Sequence, residues 1–195
     1  MALLDATATS IRAVEPDAFI ISGGLTATLT LQGAIDTRTF LTQMCALGAN
    51  RVVDAVGYHP YTYPFLPTFS GSFATAWNKI SQTPVSMTSI LAQYGTPGLP
   101  IWLTEYGAPA SSLSPANEAD AGQVSEALQA QMATSAVGAV VSSPSIGALF
   151  WYTDEDLPGG TPIDHYGLRA ADGTEKPVFA ALRQAILTAR AAASQ

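Results

Sequence analysis

The chain has 195 residues, about the size of one domain, and with 48% hydrophobic residues it can bury a sizeable core. Its formal charge of −7, with only 8 scattered Lys and Arg residues, argues against a nucleic-acid partner, because a phosphate-binding surface needs clustered cations. Charged residues make up 12% of the chain against roughly 25% in ordinary soluble proteins, which points to Ala-rich helices packed against something rather than to disorder. Cys45 is the sole cysteine, so no intrachain disulfide can form, and its neighbours Met44, Ala46 and Leu47 predict a buried, inert thiol. No apolar run reaches the roughly 20 residues of a membrane span. The opening Met1 to Asp5 lacks the basic and apolar regions of a signal peptide, so the chain as written is expected to be cytoplasmic, and secreted if its true start lies upstream.

Leu3, Leu4, Thr7, Ile11 and Val14 fall at helical spacing that stops before Pro16. The apolar run Ala18 to Ser22, closed by Gly23-Gly24, suits a strand buried on both faces, as in a parallel sheet. Asp36 is positioned as an N-cap for a second helical stripe of Phe40, Leu41, Met44 and Leu47, which Gly48 ends. Val52 to Tyr58 reads as a second strand, followed by a Pro- and aromatic-rich loop and helical stretches from Phe73 to Tyr94 that break near Pro84. Pro100 to Thr104 is a third strand, and an Ala-rich helix runs from about Asn117 to Val141. Ile146 to Trp151 is a fourth strand, and Val178 to Ala191 a closing helix after Pro177.

Strands alternating with helices imply parallel strands joined by right-handed crossovers, and no linker divides residues 1–195. Two architectures accommodate this order. A doubly wound sheet would place a glycine-rich phosphate loop after its first strand, but Gly23-Gly24 lacks the further glycines of a dinucleotide fingerprint. A (β/α)₈ barrel places its chemistry at the C-terminal ends of several strands, and takes about 250 residues. This sequence has four strand–helix units, half of the barrel's eight.

The chemically rich residues cluster at three strand ends. The third strand closes on Thr104-Glu105-Tyr106-Gly107, where a partly desolvated carboxylate would serve as a nucleophile, as an acid/base group or simply as a loop cap. The second closes on Tyr58-His59-Pro60-Tyr61, and the alternate spacing of His59 and Tyr61 can turn an imidazole and a phenol to one side. There they would hold such a carboxylate ionised and oriented, unless they are core and loop residues only. The fourth closes on Phe150-Trp151-Tyr152, where an aromatic can form a flat platform for a sugar ring or pack over the core.

Taken together, His-Pro-Tyr, Thr-Glu-Tyr-Gly and Phe-Trp-Tyr on successive strands resemble the C-terminal half of the clan A retaining glycoside hydrolases, the cellulase-, mannanase- and xylosidase-like barrels. Two further stretches fit the same picture: Glu15-Pro16-Asp17-Ala18 leading to Ile20-Ile21-Ser22-Gly23-Gly24-Leu25, and Tyr166-Gly167-Leu168-Arg169 leading to Asp172-Gly173 and Lys176-Pro177. The resemblance implies an α/β fold, a partial (β/α)₈ TIM barrel with strands five to eight and helices four to eight. It implies Glu105 as the nucleophile, His59 and Tyr61 as supporting residues, and Trp151 as the floor of the sugar subsite, with Tyr106 and Tyr152 beside it as substrate-binding rings. Its partner would be a carbohydrate, with no cofactor and no metal; His59 and His165, far apart in sequence, offer no metal-ligand spacing.

One element of that family pattern is missing. Retaining hydrolysis uses two carboxyl groups about 5–5.5 Å apart, and the family's acid/base Glu follows an Asn at the end of strand four. The one Asn-Glu pair here, Asn117-Glu118, reads as a helix start. Asp154, Glu155 and Asp156 after Trp151 read as a solvated acidic loop. The expectation is a nucleophile-bearing half site, inactive or weak alone, whose open sheet edges at the Ile20 and Phe150 strands invite self-association or a complementary N-terminal half. The other readings are a non-catalytic carbohydrate-binding or structural module, and a doubly wound protein with an unrelated site.

Overall fold

The computed structural model describes residues 1–26, 33–111 and 122–194. They belong to two compact units: Met1–Pro60 with Ala76–Thr104 and Ser145–Ala148, and Tyr61–Thr75 with Glu105–Pro144 and Leu149–Gln195.

The first unit opens with helix α1 (Ala2–Val14), anchored by Arg12, which donates to Val52 O at 3.0 Å and to the Asp54 carboxylate at 2.6 Å. Ala8, Ile20 and Val53 form a small core beneath it, with Leu4, Ala18, Val52 and Leu99 packed on. The run Ala18 to Ser22 is not a full strand. It makes one parallel bridge, Ile21 to Ala55, and the ladder proper is β1 (Leu25–Thr26). The Asp54 carboxylate explains this, because it takes the Ile20 N–H at 2.8 Å in place of a backbone carbonyl. Helix α2 (Thr37–Ala46) begins at Asp36, whose side chain accepts the Arg38 N–H at 3.0 Å and satisfies one of the orphan donors of the first turn. Gly48, at φ +86°, takes the left-handed turn that follows it.

A short 3₁₀ turn (Ala49–Arg51) leads to β2 (Val56–His59), shorter than the expected Val52 to Tyr58. Helices α3 (Asn78–Ser81) and α4 (Met87–Gln93) flank the break at Pro84, and Ser86 caps α4 through a capping box. Next comes β3 (Ile101–Tyr106). Leu41, Cys45, Val56, Tyr58, Ile80, Met87, Leu91, Ile101 and Leu103 are buried in this unit's core. Burial raises the Cys45 thiol pKa, as an inert core cysteine requires.

In the second unit β4 (Ala110–Ser111) and β5 (Val124–Ser125) form a small parallel pair. Ser125 then caps α5 (Glu126–Val141), so residues 124 and 125, expected to be helical, are strand; Asn117 and Glu118 lie outside the described residues. Gln129, Met132, Ala133 and Ala136 are buried on α5, which packs along α6 (Pro177–Ala193). Pro177 sits in the first turn of α6, where its missing N–H costs nothing.

Strand β6 (Ile146–Trp151) completes a sheet of order β1-β2-β3-β6 among the described residues, parallel from β1 through β3. Ile101 N–H donates to Ser145 O at 2.8 Å and Tyr152 N–H to Tyr106 O at 2.9 Å, a register that advances in the same sense along both strands. This is the α/β arrangement that the alternation of elements predicts, with β1 and β6 as the outer strands among the described residues. No described helix is long and apolar enough to cross a membrane.

Candidate active site

In the first unit the end of β2 carries His59. Tyr58 turns into the core, where its hydroxyl donates to Ala76 O at 3.0 Å, and pleating turns His59 the other way. Its Nε2 lies 3.0 Å from Thr104 Oγ1, the tautomer deciding which donates. Close backbone approach shapes this place. A side chain at Gly24 would overlap the imidazole, and a Cβ at Gly57 would sit 2.6 Å from Ser22 O. These glycines are required by contact, since neither needs a positive φ.

In the second unit the key residue is Glu105. Strict alternation would put it on the face of Ile101 and Leu103, both fully buried. The alternation breaks instead: Thr104 and Glu105 are both half-buried, and full burial resumes at Tyr106. Tyr61, on the loop beyond β2, donates its hydroxyl to Glu105 Oε2 at 3.0 Å. Burial, then the Glu105 charge, raises the Tyr61 pKa far above its ordinary value, so the phenol stays a donor throughout the physiological range.

Around this pair stands a wall of rings. Tyr61 stacks on Tyr106 with centroids 6.5 Å apart, and Tyr106 meets Trp151 edge to face at 5.9 Å. Tyr166 sets its ring across Tyr61 at 5.8 Å, Tyr63 at 6.0 Å and Tyr152 at 5.6 Å, and its hydroxyl donates to the Tyr63 hydroxyl at 2.9 Å. Burial is the leading cause that raises the Tyr166 pKa. The Trp151 indole N–H donates to Tyr166 O at 3.2 Å, which fixes the plane of the half-buried ring. Tyr152 is 40% exposed and presents a ring to solvent, whereas Tyr106, expected as a substrate-binding ring, is fully buried and backs the wall. Gly107 permits the closeness: a side chain there would overlap Tyr152 O and lie 3.3 Å from the Tyr166 ring.

The structure thus brings Glu105, Tyr61, Tyr106, Trp151 and Tyr152 together in one unit. Two members of the wall, Tyr63 and Tyr166, were not singled out as site residues in the sequence. The acidic loop also differs from expectation. Asp154 is exposed and pairs with Arg169, as a solvated residue would. Asp156 is buried, held by Lys176 at 3.1 Å and close to His165 at 3.6 Å, because the chain returns over it before α6.

No protein-family model and no curated protein matches the sequence. Solved structures do share the fold. A family 39 glycoside hydrolase from Bacteroides cellulosilyticus WH2 superposes with a TM-score of 0.66 at 22% identity, over 96% of this chain and 37% of that one. An exo-beta-agarase gives 0.61 at 12% identity, over 96% of this chain and 22% of that one. The GH39 enzyme of Xanthomonas axonopodis pv. citri gives 0.55 at 21% identity, over 93% and 35%. The chain therefore spans less than two fifths of the length of each. At these identities the likeness is one of fold, and it agrees with what the strand-end motifs resemble: this chain has the fold of part of a clan A-like glycoside hydrolase.

Proposed function

We propose that this chain carries the nucleophile side of a retaining O-glycosidase site, with Glu105 as nucleophile. The observation that supports this most is the 3.0 Å hydrogen bond from Tyr61 to Glu105 Oε2 inside an aromatic wall. A carboxylate attacking an anomeric carbon must be ionised, oriented and partly desolvated. The phenol, as a hydrogen-bond donor, orients it. The exposed ring of Tyr152 and the fixed indole of Trp151 offer the flat apolar surface that the C–H face of a sugar prefers. In the first unit, His59 is held by its own partner, Thr104, at 3.0 Å.

In the reaction, one Glu105 oxygen would form an ester to C1 as the C1–O bond to the leaving group breaks. The leaving oxygen needs a proton, which in the family comes from the second carboxyl group. Among the described residues no Asn-Glu pair stands at a strand end to supply one. Losing a general acid costs about 10²–10⁴ in rate, so natural glycosides should turn over slowly or not at all with this chain alone. An activated glycoside bypasses the need, because dinitrophenolate leaves without a proton.

The test is therefore incubation with a panel of 2,4-dinitrophenyl 2-deoxy-2-fluoro-β-glycosides, followed by intact mass and peptide mapping. The expected result is one added fluorosugar on Glu105, absent in Glu105→Gln. Sugar binding without any adduct across the panel would reject the nucleophile and favour a non-catalytic carbohydrate-binding module.

A further inference from the structure

Beside the wall of rings lies a buried ion pair. Lys176 and Asp156 are 5% and 8% exposed, and the Lys176 ammonium donates to both Asp156 oxygens at 3.1 Å. Replacing such a pair by apolar side chains is often neutral or stabilising, so its presence does not itself explain stability. Its hydrogen bonds show what it grips. Lys176 Nζ also donates to His165 O at 3.2 Å, and Asp156 Oδ1 accepts the Gly167 N–H at 2.6 Å. These are the two peptide groups on either side of Tyr166.

The same short segment orients the wall. The carbonyl of the Tyr166–Gly167 peptide, whose N–H is bound by Asp156, accepts the Trp151 indole at 3.2 Å and the Thr153 N–H at 3.2 Å. The Tyr166 ring stands across Tyr61, the donor to Glu105. A side chain at Gly167 would overlap the backbone of residues 155, 156 and 169, so the turn has no slack. Buried Gln129 closes the other side by donating to Ala108 O at 2.8 Å.

We propose that the Lys176–Asp156 pair is the positioning device of the site: by clamping both peptides that flank Tyr166 it fixes the Tyr166 ring and carbonyl, and through them Trp151 and Tyr61. Neither residue touches the reacting atoms. The inference rests on Glu105 being the nucleophile, but its structural half can be read separately.

Two measurements on the full chain test it. The first is the limiting first-order rate of fluorosugar labelling at Glu105, expressed per folded molecule. Lys176→Met should lower this rate by about tenfold or more, as misplacement of positioned groups does. Lys176→Arg should restore most of it, and Asp156→Asn, which keeps an acceptor for Gly167, should fall between. Leu41→Ala, a core truncation in the other unit, should leave the rate per folded molecule unchanged. The second is the Trp151 indole N–H resonance, assigned by its loss in Trp151→Phe. It should move in Lys176→Met and Asp156→Asn and stay in place in Leu41→Ala. An unmoved indole resonance together with an unchanged rate in either pair variant overturns the proposal. If the wild-type chain is never labelled, the nucleophile reading fails, while the indole resonance still decides whether the pair positions the wall. Should Lys176→Met not fold, Asp156→Asn and Lys176→Arg carry both readouts.

Discussion

Replacing Tyr61 by Phe removes one hydroxyl and keeps the ring that stacks on Tyr106 and meets Tyr166 edge to face. What is lost is the 3.0 Å bond to Glu105 Oε2. A hydrogen bond to a charged group contributes about 1.5–3 kcal/mol, and one between neutral groups about 0.5–1.5 kcal/mol. When Glu105 is esterified to a sugar its charge disappears, so the bond falls from the first class to the second. Tyr61 therefore favours the free carboxylate over the ester by about 1–1.5 kcal/mol. Glu105 is half-buried and water can replace part of the lost donor, so the lower figure applies, roughly a fivefold effect. The sign follows directly. In Tyr61→Phe the departing carboxylate is less stabilised, so the ester should be released more slowly. The assay loads Glu105 with the fluorosugar, removes excess reagent and adds azide, a nucleophile that needs no general base. The mass of the protein then reports release with time, and Tyr61→Phe should release about fivefold more slowly than the parent. Equal or faster release from an ester mapped to Glu105 would show that Tyr61 does not stabilise the charge, and the argument for its role would fall.

Other tests address the scaffold. Burial pushes the Asp36 carboxyl up, but its hydrogen bond from Arg38 and the charge of Lys79 outweigh this and hold its pKa below the ordinary value. Its contribution to stability is thus fully present above the unfolded pKa near 3.9 and is lost as pH falls through the lower folded value. Asp36→Asn keeps the cap of α2 but leaves the buried Lys79 without its anionic partner, at a cost of about 3 kcal/mol. Urea unfolding should show this loss at pH 7 and a shallower decline below pH 4; adding Lys79→Met should recover much of it, and an unchanged midpoint in Asp36→Asn would contradict the reasoning. Strand β6, outermost in the sheet among the described residues, exposes Phe150 at 49% of its surface, and strand edges with apolar side chains recruit partners. Sedimentation velocity should show concentration-dependent association that Phe150→Lys reduces, whereas a clean monomer across the micromolar range would remove that expectation.

The elements that the sequence made legible are those whose cause is local. Asp36, Gly48 and Pro177 mark helix ends through bonds or dihedrals within a few residues, and the apolar runs at Ile101 and Ile146 become strands as their composition predicts. What was illegible has distant causes. Ala18 to Ser22 fails to form a full strand because the Asp54 side chain, far along the chain, takes the Ile20 N–H. Asp156 sits in an acidic run that reads as solvated, and its burial is dictated by Lys176, twenty residues on. Tyr166 lies in a loop without periodicity, and its partner Tyr63 is 103 residues away. Glu105, by contrast, was visible because a carboxylate directly after an apolar strand is chemically conspicuous. The break in the alternation of burial between Leu103 and Tyr106 was not.

That break has a consequence for mechanism. Glu105 gets its orientation from Tyr61, and Tyr61 from Tyr106 and Tyr166, all within one compact unit. A nucleophile arranged in this way is preorganised before any acid/base group arrives, and preorganisation is what positioned groups contribute to a barrier. The two carboxyl groups of a retaining site would then be unequal in their demands on the fold. The nucleophile needs only its local wall, whereas the acid must be delivered to about 5–5.5 Å from it by a separate element. Activated and natural glycosides separate the two requirements. A chain with the wall intact should react readily with the first and be slower with the second by the 10²–10⁴ that a general acid supplies. Equal reactivity toward both would mean that some group in this chain already supplies the proton, and that a half site is the wrong description.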